Sequence, residues 1–176
     1  MKPIRAASLK AQLVATPAFD GPAAVAPATA SAFEKAITGA RKPLDVLVAE
    51  DNEINALLTR ALLTRLGHRP TVAESGAAAL ERWRAARDAG TPYDLILMDM
   101  QMPGMDGLEA ARRIRAFEAE RGTARTPIIA LTANAFAEDR EACLASGMDR
   151  FLVKPLDRER LAVALADMAG RAEIAA

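Results

Sequence analysis

The sequence has very few of the residues that form crosslinks and metal clusters: its 176 residues include one cysteine and one histidine. A single cysteine excludes an internal disulfide, and together with the lone histidine it excludes a metal site built from thiolates or imidazoles. Any metal must therefore be held by oxygen. The 23 basic and 23 acidic side chains cancel, so no net charge attracts a phosphate backbone, and direct nucleic-acid binding is not expected.

Long apolar segments are also lacking. No apolar run approaches the roughly 20 residues that a membrane-spanning helix needs, and the first residues do not show the pattern of a secretory signal. We therefore expect a soluble, cytoplasmic chain whose segment makes no membrane contact.

The first quarter of the chain differs in composition from the rest. Five of the ten prolines precede Leu44, and the stretch 15–32 consists almost entirely of Ala, Pro, Thr and Ser. Spaced prolines remove backbone donors and disfavour helix, and small side chains offer little area to bury. The composition predicts a linker over 15–43.

From Asp45 onward, short apolar segments alternate with segments of helical periodicity. Segments that are apolar throughout, such as Leu95–Met98, indicate strands buried on both faces, which is typical of a parallel sheet covered by helices. Right-handed crossovers then give a doubly wound, three-layer α/β domain. The predicted strands are 45–49, 70–73, 94–98, 127–131 and 150–153, and helices are predicted within 54–67, 77–89, 108–120, 136–146 and 158–168.

Polar side chains follow four of these strands at the edge where ligands bind in such sheets. The first strand ends in Glu50 and Asp51, the third in Asp99, the fourth in Thr132 and the fifth in Lys154. Carboxylates that are crowded together repel each other unless a cation lies among them. Carboxylate oxygens with room for water and a phosphate suit Mg²⁺, so we expect a magnesium site.

An ammonium and a hydroxyl beside a magnesium site favour phosphoryl chemistry. Mg²⁺ and Lys154 would neutralise phosphoryl oxygens, Thr132 would donate a hydrogen bond, and a carboxylate would attack phosphorus. Asp99 is the best candidate nucleophile because it ends a continuously apolar strand. The predicted reaction is formation of an acyl phosphate on this aspartate.

Four motifs resemble the receiver domain of two-component signalling, in the right order and spacing from Leu44 to about Gly170. The residues of these motifs resemble in particular those of receivers attached to hybrid sensor histidine kinases. The motifs are VAEDN at 48–52, MDMQMPGMDG at 98–107, ALTANA at 130–135 and FLVKP at 151–155.

The resemblance implies a flavodoxin-like strand order of 2-1-3-4-5 and a role for each matching residue. Asp99 would accept a phosphoryl group from a phosphohistidine. Asp51, Asp99 and the Gln101 backbone carbonyl would bind Mg²⁺, with Glu50 acting through water. A cis Lys154-Pro155 bond is expected as well.

The resemblance also implies a switch and two residues that tune dephosphorylation. Phe151 occupies the aromatic switch position and would turn inward when Thr132 moves, although it lacks the hydroxyl of the commoner Tyr. Gln101 and Asn134 match the rate-tuning positions. The signal would leave through a histidine phosphotransfer domain or the histidine kinase core of a hybrid kinase.

A short internal repeat lies near the start of the chain. Lys2-Pro3-Ile4 followed by Leu9 and Leu13 has the spacing of Lys154-Pro155-Leu156 followed by Leu161 and Leu165. We interpret 1–14 as the tail of an upstream receiver, 15–43 as the linker, 44–170 as the receiver domain and 171–176 as a C-terminal tail.

Two other functions are compatible with an aspartate at the end of a strand. A haloacid dehalogenase-like phosphatase also uses an aspartyl nucleophile, but it needs an acid two residues later, where this sequence has Gln101. A phosphorylation-independent scaffold would be favoured by loss of Asp99, Asp51 or Lys154, and all three are present. Among other residues, Cys143 is predicted to pack in the core, His68 to lie far from the acidic site, and Trp83 to be partly packed.

Overall fold

The computed structural model describes residues 42–134 and 136–174. The predicted repeat at 1–14 and nearly all of the predicted linker lie outside these residues. Five strands and five helices alternate along the described chain. They are β1 (Asp45–Ala49), α1 (Glu53–Arg65), β2 (Arg69–Ala73), α2 (Gly76–Asp88), β3 (Leu95–Asp99), α3 (Gly107–Arg121), β4 (Ile128–Thr132), α4 (Ala137–Ala145), β5 (Arg150–Val153) and α5 (Arg158–Ile174).

The strands form one parallel sheet in the order β2-β1-β3-β4-β5. The predicted doubly wound topology is confirmed. Because every strand runs in the same direction, the carboxyl ends of β1, β3, β4 and β5 meet at one edge of the sheet.

Two apolar layers cover the sheet, since alternate residues of each strand point to opposite faces. On one face Leu47, Ile96 and Ile128 pack with residues of α2, α3 and α4. On the other face the intervening residues, such as Val48 and Leu97, pack against α1 and α5. Strands β3 and β4 are buried along their whole length, as their continuously apolar sequences predict.

Side-chain caps fix where three helices begin. Asn52 accepts hydrogen bonds from the backbone N–H groups of the first turn of α1, Ser75 caps α2, and Asp106 caps α3. Each cap satisfies donors that the helix itself leaves without partners. Two of these helices, α1 and α3, therefore start at defined residues beside the edge where the polar strand ends meet.

Several strand limits differ from the predicted ones by one residue, and two larger differences concern α5 and Trp83. Helix α5 continues to Ile174, so the predicted domain end at Gly170 falls inside a helix, because the Arg-Ala-Glu that follows consists of good helix formers. The prediction that Trp83 is only partly packed is wrong. Its ring is fully buried, lies edge-on to Phe117, and its indole N–H donates to Thr126 Oγ1 at 3.0 Å.

Candidate phosphoryl-transfer site

A cleft of about 240 Å³ lies at the carboxyl edge of the sheet. The predicted strand-end residues all line it: Glu50, Asp51, Asp99, Thr132 and Lys154. The cleft also includes Gln101 and Asn134 from the following loops. Elements far apart in sequence thus bring carboxylates, an ammonium and a hydroxyl to one place, because their strands are neighbours in the sheet.

Lys154 joins two of the acids. Its Nζ donates to Asp99 Oδ2 at 2.6 Å and to Glu50 Oε2 at 2.6 Å. Burial alone would lower the pKa of this amine, but the hydrogen bonds and charges of Asp99 and Glu50 together raise the pKa above its ordinary value. Lys154 therefore stays protonated and keeps a positive charge against the two carboxylates.

Three carboxylates lie together in the cleft. Ligand oxygens of Glu50, Asp51 and Asp99 lie within 4.8 Å of one another. Glu50 and Asp99 are buried, whereas Asp51 is exposed and has no hydrogen-bond or ion-pair partner among the described residues. One ammonium cannot neutralise three carboxylates, so the residues present fit a hard cation that takes oxygen ligands, such as Mg²⁺.

The loop between β3 and α3 holds the end of β3 in place. The Gln101 N–H donates to Asp99 Oδ1 at 3.2 Å, the carboxylate oxygen that Lys154 does not contact. Gly104 has a φ of 81°, a backbone conformation that glycine adopts readily in a tight turn. A Cβ on Gly107 would lie 2.1 Å from the backbone oxygen of Asp99, so the start of α3 approaches the strand end as closely as only glycine allows.

Thr132 and Asn134 form a small turn at the end of β4. The Thr132 hydroxyl donates to the Asn134 carbonyl at 2.9 Å and accepts from the Asn134 N–H at 3.2 Å. The hydroxyl is thus engaged within its own loop. Thr132 itself is buried, at 5% exposure, and it has to exchange these local bonds to donate to a group in the cleft.

Phe151 is not among the residues that line the cleft. Its ring is partly buried against the core layer that includes Cys143 and Met148, and the Arg140 guanidinium lies 5.8 Å from the ring centroid. The ring therefore connects β5 with α4. The Lys154-Pro155 bond that follows is cis, as predicted.

Sequence reasoning missed two residues that line the cleft from helices. Asn55, in the first turn of α1, donates from its amide nitrogen to Glu50 Oε1 at 3.1 Å. Asp139 of α4 also lines the cleft. Whether a helical side chain reaches a strand-end site depends on how the helix is rotated over the sheet. The motif at 48–52 ends before α1 begins and therefore does not include Asn55.

The other predicted placements agree with the structure. Cys143 is buried, at 2% exposure, in the core, and burial raises the pKa of its thiol. His68 follows α1 at the opposite edge of the sheet, where its Nδ1 accepts from the Leu44 N–H at 3.3 Å. Across the described chain, no helix has both the length and the apolar character that spanning a bilayer requires.

The comparisons with known proteins identify the family. The sequence profile described as the response regulator receiver domain matches residues 46–166. The chain belongs to this family. It is 46% identical to the two-component response regulator ORR41 of Oryza sativa subsp. japonica, over 72% of this chain and 95% of that protein.

Longer proteins and solved structures show the same relationship. The chain is 45% identical to the sensor protein GacS of Pseudomonas syringae over 66% of this chain, but it spans only 12% of GacS. The receiver domain of the sensor histidine kinase PA1611 from Pseudomonas aeruginosa PAO1, crystallised with magnesium in its active-site cleft, is 42% identical with a TM-score of 0.60, over 73% of this chain and 99% of that one.

A fourth relative was crystallised with a partner. The receiver domain of the Saccharomyces cerevisiae response regulator Ssk1, solved with the histidine phosphotransfer protein Ypd1, is 32% identical with a TM-score of 0.62, over 68% of this chain and 83% of that one.

Proposed function

We propose that the chain is a phosphoacceptor module in which Asp99 takes a phosphoryl group from a phosphohistidine. The observation that carries this proposal is the position of the Asp99 carboxylate, which contacts the Lys154 ammonium and lies within 4.8 Å of two further acids. A buried carboxylate so placed has a cation beside it to neutralise incoming phosphoryl charge.

In the proposed transfer, an Asp99 carboxylate oxygen attacks phosphorus while the P–N bond of the phosphohistidine breaks. The imidazole, protonated on its other nitrogen, leaves as a neutral group, and Asp99 becomes an acyl phosphate. Lys154 stabilises the phosphoryl oxygens by charge. The Thr132 hydroxyl would donate a hydrogen bond to one of these oxygens in place of its present hydrogen bond to the Asn134 carbonyl.

Asp51, Asp99 and the Gln101 carbonyl would hold Mg²⁺, with Glu50 acting through water. The ion would neutralise negative charge on the phosphoryl group. The PA1611 receiver domain, crystallised with magnesium coordinated in its active-site cleft, supports this assignment. Asp51→Asn should weaken Mg²⁺ binding and also raise stability without metal, because it relieves repulsion among the acids. Thermal melts with and without Mg²⁺ test both effects. A variant with the full metal-dependent stabilisation would contradict the assignment of Asp51 as a ligand.

The reaction is tested most simply with a small acyl phosphate. Wild-type protein and Asp99→Asn are incubated with acetyl phosphate, with and without Mg²⁺, and their intact masses are measured. We expect one phosphoryl adduct on wild type only when Mg²⁺ is present. An undiminished adduct on Asp99→Asn would contradict the proposal, and wild type with no adduct would favour the scaffold function instead.

We propose that the phosphodonor docks on α1. Ile54, Leu57 and Leu58 are 77%, 67% and 47% exposed on this helix, which starts two residues after Asp51. An apolar helix surface beside the cleft fits a helical partner, and the Ssk1 receiver with its phosphotransfer protein is a precedent for such pairing. The partner would be a histidine phosphotransfer domain or a kinase core, in the cytoplasm, and the parent protein a hybrid histidine kinase.

We propose that Thr132 and Phe151 form the switch. Movement of Thr132 toward a phosphoryl group would let the Phe151 ring turn inward and change the contact with Arg140 of α4. Gln101 and Asn134, which line the cleft, would tune how fast water removes the phosphoryl group.

A further inference from the structure

We infer that Asn55 is a positioning residue for the phosphoryl site, an inference that rests on the function proposed above. Its side-chain amide donates to Glu50 Oε1 at 3.1 Å, while Lys154 donates to Glu50 Oε2 at 2.6 Å. The Glu50 side chain is 1% exposed. Both oxygens of this buried acid are therefore held, one by a helix and the other by the residue that follows β5.

The second hydrogen bond decides the orientation of Glu50. The terminal torsion of a glutamate is broad and has no strong rotamer preference, so a carboxylate held at one oxygen can rotate about that contact. Asn55 removes this freedom. A carboxylate that acts on a metal through water has to present its oxygen in a fixed direction, and groups that orient such acids strongly affect metal affinity.

Asn55 is itself fixed by the start of α1. The Asn52 side chain accepts from the Asn55 backbone N–H at 3.1 Å, so the N-cap holds the first helical turn in register with β1. Hydrogen bonds thus link Asn52 to Asn55 and Asn55 to Glu50. Ile54, the neighbour of Asn55, is 77% exposed, so the same helical turn carries both the proposed docking surface and the contact to the acid.

The role of the Asn55 amide can be tested by substitution because the amide contributes little to the stability of the fold. Asn55 is partly exposed, and a single hydrogen bond of this kind adds little net stability. Asn55→Ala should therefore fold, which keeps effects on the site separate from effects on the domain. Arg60→Ala provides a matched control on the exposed surface of the same helix.

Two measurements test the inference. Mg²⁺ affinity is measured by titration calorimetry without phosphodonor, and the rate of phosphorylation by acetyl phosphate is measured against Mg²⁺ concentration. For Asn55→Ala we expect the Mg²⁺ dissociation constant and the half-saturating Mg²⁺ concentration to rise about tenfold. The rate at saturating Mg²⁺ should approach that of wild type. Arg60→Ala should match wild type in both measurements.

A double-mutant cycle shows whether Asn55 acts through Glu50. In a Glu50→Ala background, Asn55→Ala should change the Mg²⁺ dissociation constant very little, because the residue that it orients is gone. An equal loss in both backgrounds, or a wild-type Mg²⁺ dissociation constant for Asn55→Ala alone, would overturn the inference while leaving the proposed function intact. A wild-type chain that takes up no phosphoryl group would contradict the proposed function and this inference together.

Discussion

The ammonium of Lys154 lies 2.6 Å from the carboxylate of Asp99, although the two residues are 55 positions apart. Lys154 follows β5 and Asp99 ends β3, and β4 lies between these strands. The contact therefore spans three strand ends of the sheet. The Lys154 ammonium offsets the charge of the buried acids in the folded state. In the proposed reaction it would also offset the charge of the phosphoryl group.

Lys154→Met should destabilise the domain. The Lys154 side chain is 20% exposed and the acids are nearly fully buried, so the variant leaves two close carboxylates without their cation, at a cost of about 3 kcal/mol. Urea unfolding measures this change. Mg²⁺ should recover part of the loss by neutralising the same acids. Lys42→Met, an exposed control, should change stability by less than about 0.5 kcal/mol.

If Lys154→Met were as stable as wild type without Mg²⁺, the ion pairs would not contribute to the fold. The account of Lys154 as a cation that offsets buried acids would then be wrong.

Gly107→Ala should destabilise the domain and slow phosphorylation. The added Cβ would lie 2.1 Å from the Asp99 backbone oxygen, so α3 or the end of β3 has to move, at a cost of roughly 1–3 kcal/mol. Gly170→Ala is the matched control because no atom lies within 4 Å of its Cβ position. Alanine favours a helix, so the control should be neutral or up to about 1 kcal/mol more stable. Equal unfolding midpoints for the two variants would contradict the close approach at Gly107.

The sequence predicts most of the site because short apolar strands end in polar residues. Glu50 and Lys154 directly follow such strands and Asp99 ends one, so parallel topology alone brings them to one edge. The same reasoning cannot place Asn55, since a helical side chain reaches the edge only for certain rotations of α1. It also underestimates the burial of Trp83, whose charged neighbours in sequence point elsewhere on the helix.

His68 should make stability depend on pH below neutrality. Burial lowers the pKa of this half-buried imidazole, and the Leu44 N–H donates to its Nδ1. The unfolded chain therefore binds a proton more readily than the folded one. The contribution of His68 to the free energy of unfolding is complete above the imidazole pKa of the unfolded chain, about 6.5. It is lost as the pH falls through that value toward the lower pKa of the folded state.

The effect should appear as a loss of wild-type stability with falling pH that a variant without the imidazole does not share. Unfolding of wild type and His68→Gln is measured from pH 7.5 to about pH 5, and their difference isolates the imidazole because the chain has one histidine. Parallel curves for the two proteins would show that His68 is not the group responsible.

Phosphorylation should change the surface of α4, β5 and α5 through Phe151. Amide hydrogen exchange is measured with and without Mg²⁺ and beryllofluoride, which stands in for the phosphoryl group. In wild type we expect altered exchange at the cleft loops and across 136–168. Phe151→Ala should confine the change to the cleft loops, because the ring through which β5 contacts Arg140 of α4 is missing. Altered exchange across 136–168 in that variant would exclude the ring as the connection.

The phosphorylated residue itself can be identified by reducing the acyl phosphate. The protein is incubated with a phosphorylated histidine phosphotransfer domain and Mg²⁺ and is then treated with borohydride, which reduces an acyl phosphate to the alcohol. Peptides are sequenced by mass spectrometry. We expect homoserine at Asp99 and unmodified Asp51 and Glu50. Reduction of another acid to its alcohol, with Asp99 unchanged, would contradict the assignment of Asp99 as the phosphoacceptor.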